Sequence, residues 1–266
     1  MGIIKQTIKA GNTIEVREGC RTKGRGGPGR KRRLKTKPTS EEQEKINRNR
    51  QLKQLTVIIN ANFGTGDMHI SLDYRVDERP ESRKEAEAIL NRFIARLKYW
   101  YKKRGLTLKR VSVTEVGKRG ALHHHLVISE GITPQELKKL WPYGRVHITP
   151  LESNGDYIEL AEYLIKKTDW EFSNVEEMKG KRRYNTSQNL VRPQQKTKKL
   201  KGNTINQNPK PYKGYYVPKK SIYQSKDQET GVEYIVYRMV KIEPDFSYRG
   251  KVRAYRTGKK RKKVKA

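Results

Sequence analysis

The run Ala121-Leu-His-His-His-Leu-Val-Ile128 constrains the fold more than any other stretch, because its side chains alternate between two chemistries. In an extended segment neighbouring side chains point to opposite faces. Leu122, His124, Leu126 and Ile128 therefore share one face, and His123 and His125 share the other. The segment before it, Leu108 to Val116, also alternates, and Lys118-Arg119-Gly120 supplies a turn, so the two predict a β-hairpin over 107–129. Such a hairpin sets Glu115 roughly across from the histidines. Two imidazoles and a carboxylate leave open positions on a divalent cation, where water or a phosphate oxygen binds. Taken alone, the histidine pair reads equally well as surface residues with no metal.

The neighbouring elements follow from periodicity. Met68, Ile70, Leu72 and Tyr74 alternate with His69, Ser71 and Asp73, which predicts a half-buried strand. Residues 81–104 carry Ala86, Ile89, Leu90, Phe93, Ile94, Leu97 and Trp100 at three-four spacing and stop at Gly105, as a long amphipathic helix does. Thr133-Pro134 opens a short helix, Gly144 to Leu151 alternates as a strand, and Asp156 to Lys167 reads as a helix with Asp156 and Glu159 as a possible capping box. Upstream, Ser40 and Gln43 open a helix whose stripe is Ile46, Leu52, Leu55, Ile58 and Ile59. An α+β fold satisfies this order with short connections: one antiparallel sheet with helices packed on it, in a ferredoxin-like arrangement. Trp100, Tyr101 and Trp141 coincide with helix stripes and read as core or rim; His69 and His147 either face the site or, as favoured, are packed or hydrogen-bonded strand residues, and Asp73 reads as a surface residue.

Charge sets the partner class. The chain has 61 Lys and Arg against 28 Asp and Glu, a formal +33, and the usual partner of so positive a field is a nucleic-acid backbone. Residues 1–38, centred on Arg30-Lys31-Arg32-Arg33, read as a basic flexible arm, 39–180 as the main domain with an N-terminal helix, and 181–266 as a basic extension with a weak strand pair near Tyr234 to Val240. No apolar stretch is long enough to span a bilayer, the first residues lack the pattern of a secretion signal, and Cys20 has no cysteine to pair with, so a cytoplasmic chain without membrane partners is expected. No Gly-x-x-x-x-Gly-Lys-Ser/Thr is present, so any ATP-driven unwinding falls to a partner.

On the helix ending at Lys167, the apolar residues Ile158, Leu160, Ala161, Leu164 and Ile165 leave Tyr163 and Lys166 on another face. Lys166 stands one turn along from Tyr163, where its ammonium is placed to help a phenol that is a poor nucleophile at neutral pH. In isolation the pair also reads as a surface tyrosine among solvated lysines. Tyr157 is about 240° away around the same helix and does not share that position.

Taken together, Glu115-x7-His123-x-His125, then Tyr163-x-x-Lys166, in this order of strands and helices, resembles the HUH endonuclease superfamily. The likeness is closest to single-tyrosine rolling-circle replication initiators of phages, plasmids and related mobile elements. His69 to Tyr74 is similar to the first family motif, Leu122 to Val127 to the metal strand, and Ala161 to Lys167 to the nucleophile helix; Arg182 to Pro193 resembles the segment that follows it. The family's metal motif usually has an apolar middle residue where this chain has His124, and strand parity keeps His123 with His125 as the ligand pair.

The resemblance implies a metal-dependent endonuclease and strand transferase acting on single-stranded origin DNA. Tyr163 would form a 5′-phosphotyrosine and free a 3′-hydroxyl, Lys166 would position or neutralise charge, and Glu115, His123 and His125 would hold the metal. One carboxylate and open oxygen positions suit Mg²⁺ or Mn²⁺, although two imidazoles also accept Zn²⁺. A host helicase and polymerase complete the expected partners, with a homo-oligomer as an open alternative to a monomer. A relaxase or single-strand transposase of the same superfamily, or a noncatalytic basic nucleic-acid-binding protein, are the alternatives.

Overall fold

In the computed structural model, which describes residues 3–20, 41–117, 120–178, 180–201, 205–226 and 233–247, the chain opens in β structure. Strands β1 (Ile3–Ala10) and β2 (Thr13–Cys20) form an antiparallel hairpin in place of the expected arm. Gly11, at φ 55°, supplies the positive φ that a two-residue hairpin loop requires. The basic run over 21–37 had diluted the apolar alternation of Ile8, Ala10, Ile14 and Val16; that run, Ser40, Lys118-Arg119 and the C-terminal tail lie outside the described residues.

Helix α1 (Glu41–Asn62) follows. Its last turns, Leu55 to Phe63, are buried all the way round, the pattern of a helix covered on two sides. One side packs Val57 and Ala61 on Ile8 and Ala10 of β1, and the other sends Leu55, Ile58, Ile59 and Phe63 into the core of a second sheet. Ile46 of the expected stripe is half exposed.

That second sheet is assembled from β3 (Met68–Asp73), α2 (Arg83–Lys103), β4 (Arg110–Val116), β5 (Leu122–Ile128), α3 (Pro134–Leu140) and β6 (Val146–Pro150). The strands are antiparallel in the order β6-β3-β5-β4, the ferredoxin-like arrangement expected from the sequence. Ile70, Leu72, Leu122, Leu126 and Ile128 pack under α2 and α3, while Val111, Val113 and Val127 face α1 and the next helix, α4 (Ile158–Lys166). Gly144 runs so close beside β3 that a Cβ on it would lie 2.1 Å from the Asp73 carbonyl oxygen.

Asparagines lock α4 in place. Asn60 accepts from the Tyr157 amide at 2.9 Å and donates to Thr13 Oγ1 at 2.9 Å, which ties α4 to both α1 and β2. The expected Asp156 cap is absent, because Asp156 is drawn to Arg238 at 3.0 Å.

After α5 (Asp169–Asn174), the short strand β7 (Asn185–Thr186) adds to β4, so the core sheet takes an edge from beyond residue 180. Strands β8 (Lys196–Lys199), β9 (Tyr215–Tyr216), β10 (Tyr223–Lys226) and β11 (Glu233–Lys241) then return to the first hairpin, giving the order β10-β11-β2-β1-β8 with β9 on β11. The opening hairpin and the strands of 196–241 thus share one sheet, with Ile14, Val16, Ile235, Tyr237 and Met239 as its core, in place of the loosely packed structure expected there. Among the described residues, no helix is long and apolar enough to cross a membrane.

Candidate active site

The face of the core sheet that meets α4 carries the chemistry. On β5, His123 stands opposite Glu115 of β4 on one side and Asp73 of β3 on the other; His125 stands opposite Ser71. Parity therefore places His123 and His125 together as the sequence predicts, and puts His124 on the far face. There His124 is fully buried, with Tyr74 Oη 2.8 Å from Nε2 and Thr114 Oγ1 3.0 Å from Nδ1. Burial, reinforced by the charge of Arg83, pulls its pKa down to about 3, so it stays neutral.

Glu115 and His125 meet directly, with Oε2 2.9 Å from Nε2. Burial pushes the Glu115 carboxyl up, but the bond from His125 and the charge of Lys167 outweigh it and hold the group below its ordinary value. His123 turns to Asp73 instead, Nδ1 to Oδ1 at 2.8 Å, and His147 reaches the other Asp73 oxygen at 3.2 Å. Among the described residues, no three His, Cys, Asp or Glu side chains gather about one point; of the three expected ligands, Glu115 pairs with His125 while His123 pairs with Asp73. Their chemistry nevertheless fits a divalent cation: two imidazoles and a carboxylate on one face, with Asp73 holding His123 through the nitrogen that faces it.

Tyr163 projects from α4 over this face. Ala161, Leu164 and Ile165 are buried, which leaves Tyr163 at the boundary, 42% exposed. Its ring meets His125 edge-on at 5.6 Å between centroids and His69 at 5.8 Å. The lysine beside it is Lys167, not Lys166. Lys167 Nζ lies 5.1 Å from the Tyr163 ring centroid and 3.4 Å from Glu115 Oε1, while Lys166 is exposed. Tyr157 is buried and donates to the Glu152 carbonyl at 2.7 Å, apart from this group.

His69 and Asp73, which the sequence favours as a packed and a surface residue, also belong to this group. Both share the face of His123 and His125 because β3 pairs with β5, and parity within β3 carried that signal once its neighbour was known. His69 stacks on His125 at 5.5 Å, and burial with the nearby His125 lowers its pKa to about 4. His69 Nε2 and His125 Nδ1 are buried without a hydrogen-bond partner among the described residues.

Residues 67–168 match the family model described as Replication-associated protein ORF2/G2P. The matched span begins just before β3 and ends just after α4, so it holds every side chain of this site. The match supports a role in replication initiation. No curated protein and no solved structure matches the chain.

Proposed function

We propose, starting from that family match, that the protein begins rolling-circle replication by nicking one DNA strand at an origin and later rejoining it. The observation that carries this reading is Tyr163 set edge-on against His125, with Lys167 beside both Tyr163 and Glu115. A half-exposed phenol in that position has an open approach from solvent and a cation at its flank.

In the proposed step the Tyr163 oxygen attacks the scissile phosphorus, the bond from phosphorus to the 3′ oxygen breaks, and the DNA is held as a 5′-phosphotyrosine. The phenol loses one proton and the departing 3′ oxygen gains one, so the step is balanced without ATP. The reverse reaction, with a 3′-hydroxyl as nucleophile, rejoins the strand. Lys167 offsets the negative charge that gathers on the reacting oxygens. Asp73, bonded to Nδ1, orients His123, while Glu115 meets His125 at Nε2. Glu115, His123 and His125 would hold Mg²⁺ or Mn²⁺, which when bound supplies Lewis-acid polarisation of a nonbridging phosphate oxygen. A polymerase extends the freed 3′-hydroxyl, and a helicase partner supplies unwinding.

The test uses labelled single-stranded oligonucleotides tiling the DNA that encodes and flanks the protein, incubated with Mn²⁺. A covalent protein–DNA adduct is expected with the parent protein and none with Tyr163→Phe. An adduct that survives the substitution removes Tyr163 from the role. His123→Ala and His125→Ala are expected to stop cleavage but leave salt-sensitive binding intact, since most affinity comes from backbone charge. Tight RNA binding with no adduct on any oligonucleotide would favour a noncatalytic binding protein.

A further inference from the structure

On the opposite face of the core sheet, α2 and the β4–β7 edge enclose a cleft of about 770 Å³. Lys98, Lys102 and Arg110 line it over a floor of Ile94, Leu106 and Leu108, and the 186–189 segment adds hydroxyl and amide groups. Among the described residues, no carboxylate lines it.

Arg110 is the informative residue. It is partly buried, and its guanidinium donates to Ser112 Oγ at 2.7 Å, with no carboxylate partner among the described residues. Burial alone pulls its pKa below the ordinary arginine value, with no neighbouring acid to raise it. Among the described residues, the two buried arginines are met by acids: Arg183 by Asp169 at 2.8 Å and Glu44 at 2.9 Å, and Arg238 by Asp156 at 3.0 Å. A guanidinium withdrawn from water without an anion is costly, and a phosphate supplies the geometry it lacks.

The cleft is not isolated. Arg110, Ser112 and Thr114 point to the same side of β4, and Ser112 and Thr114 line a second cleft of about 280 Å³ with Lys84, Lys181 and Arg182. Its acid, Glu87, is bonded to Arg83 at 2.9 Å. Cations therefore flank the β4 row at both ends. A polymer with regularly spaced phosphates fits such a line better than a single small anion. Arg110 and Glu115 sit at opposite ends of β4, roughly 17 Å apart at strand rise, so the cleft lies several nucleotides from the Tyr163 site.

We propose that this groove seats the sugar-phosphate backbone of the DNA flanking the cut, with Arg110 gripping one phosphate; the inference rests on the DNA-cleaving reading of the Tyr163 site. Binding is measured by fluorescence anisotropy in the full chain carrying Tyr163→Phe, so that no chemistry intervenes, on a long single-stranded oligonucleotide across a salt series. Adding Arg110→Ala is expected to weaken binding roughly ten-fold and to make the salt slope shallower by about one, without lowering the melting temperature. Should Arg110→Ala fail to fold, the exposed pair Lys98→Ala and Lys102→Ala carries the same expectation. Unchanged affinity and slope in a folded variant overturn the proposal.

A cleavage measurement separates this idea from the one it rests on. In the Tyr163 background-free parent, Arg110→Ala is expected to slow cutting of the long oligonucleotide and to leave a trimmed one, too short to reach the groove, unaffected. Equal slowing of both overturns the groove, whereas an absence of adduct with any oligonucleotide defeats the nicking reading and leaves the binding result standing.

Discussion

At the scale of single residues, α4 decides which lysine serves the site. Positions three and four along from Tyr163 both lie near its face, but the helix turns so that the fourth, Lys167, reaches Glu115 while Lys166 stays in solvent. Lys167→Ala is therefore expected to slow adduct formation on the order of a hundred-fold, and Lys166→Ala to change it little, in single-turnover assays with saturating oligonucleotide. His124 has a different job from its neighbours. Its two hydrogen bonds and complete burial make it a structural residue, and His124→Ala is expected to cost about 2–4 kcal/mol in urea unfolding through the cavity and the orphaned Tyr74 and Thr114 hydroxyls. The alternation of Leu122 to Ile128 made the faces taken by these three histidines legible in the sequence. His69 and Asp73 were not, because local periodicity says which residues share a face of one strand but not which strand lies alongside it.

Among the elements, α3 shows how a short helix is held by its ends. Thr133 and Glu136 form a reciprocal capping box, Pro134 opens the first turn, and Arg104 from the end of α2 grips Glu136, with one bond at 3.0 Å. The Arg104 bond, and then the Thr133 amide, hold the Glu136 carboxyl down at about 2. Because the folded value is depressed, this stabilisation is present above the unfolded carboxylate pKa of about 4.3 and is lost as pH falls through about 2. The melting-temperature gap between the parent and Glu136→Gln is accordingly expected at pH 6 and to close toward pH 2. Elements of this kind were readable because starts, stops and periodicity are local: α2 ends before Gly105 and α3 starts at Pro134, as expected. By contrast, α1 shows only part of its predicted stripe, since a helix wedged between two sheets has no single wet face over its last turns.

For the whole molecule, the sheet that joins the two ends of the chain is the feature local reading could not supply. Its strands come from segments far apart in the sequence, and Glu18 meets Tyr237 across 219 residues. An arm could be removed without loss, whereas β1 and β2 sit between β8 and β11 and cover one side of α1. Deleting residues 1–20 is expected to turn a cooperative unfolding transition into a broad one and to raise aggregation, measured by calorimetry and light scattering, because two strand edges and the Val57–Ala61 surface are laid bare. The same arrangement bears on synthesis. At roughly 5–20 residues per second, the opening hairpin leaves the ribosome about ten to forty seconds before the strand that must lie beside it. Until β8 and β11 arrive, the hairpin keeps both of its edges bare, so a prematurely stopped polypeptide carries unpaired strands that chaperones and proteases can read as a sign of unfinished translation.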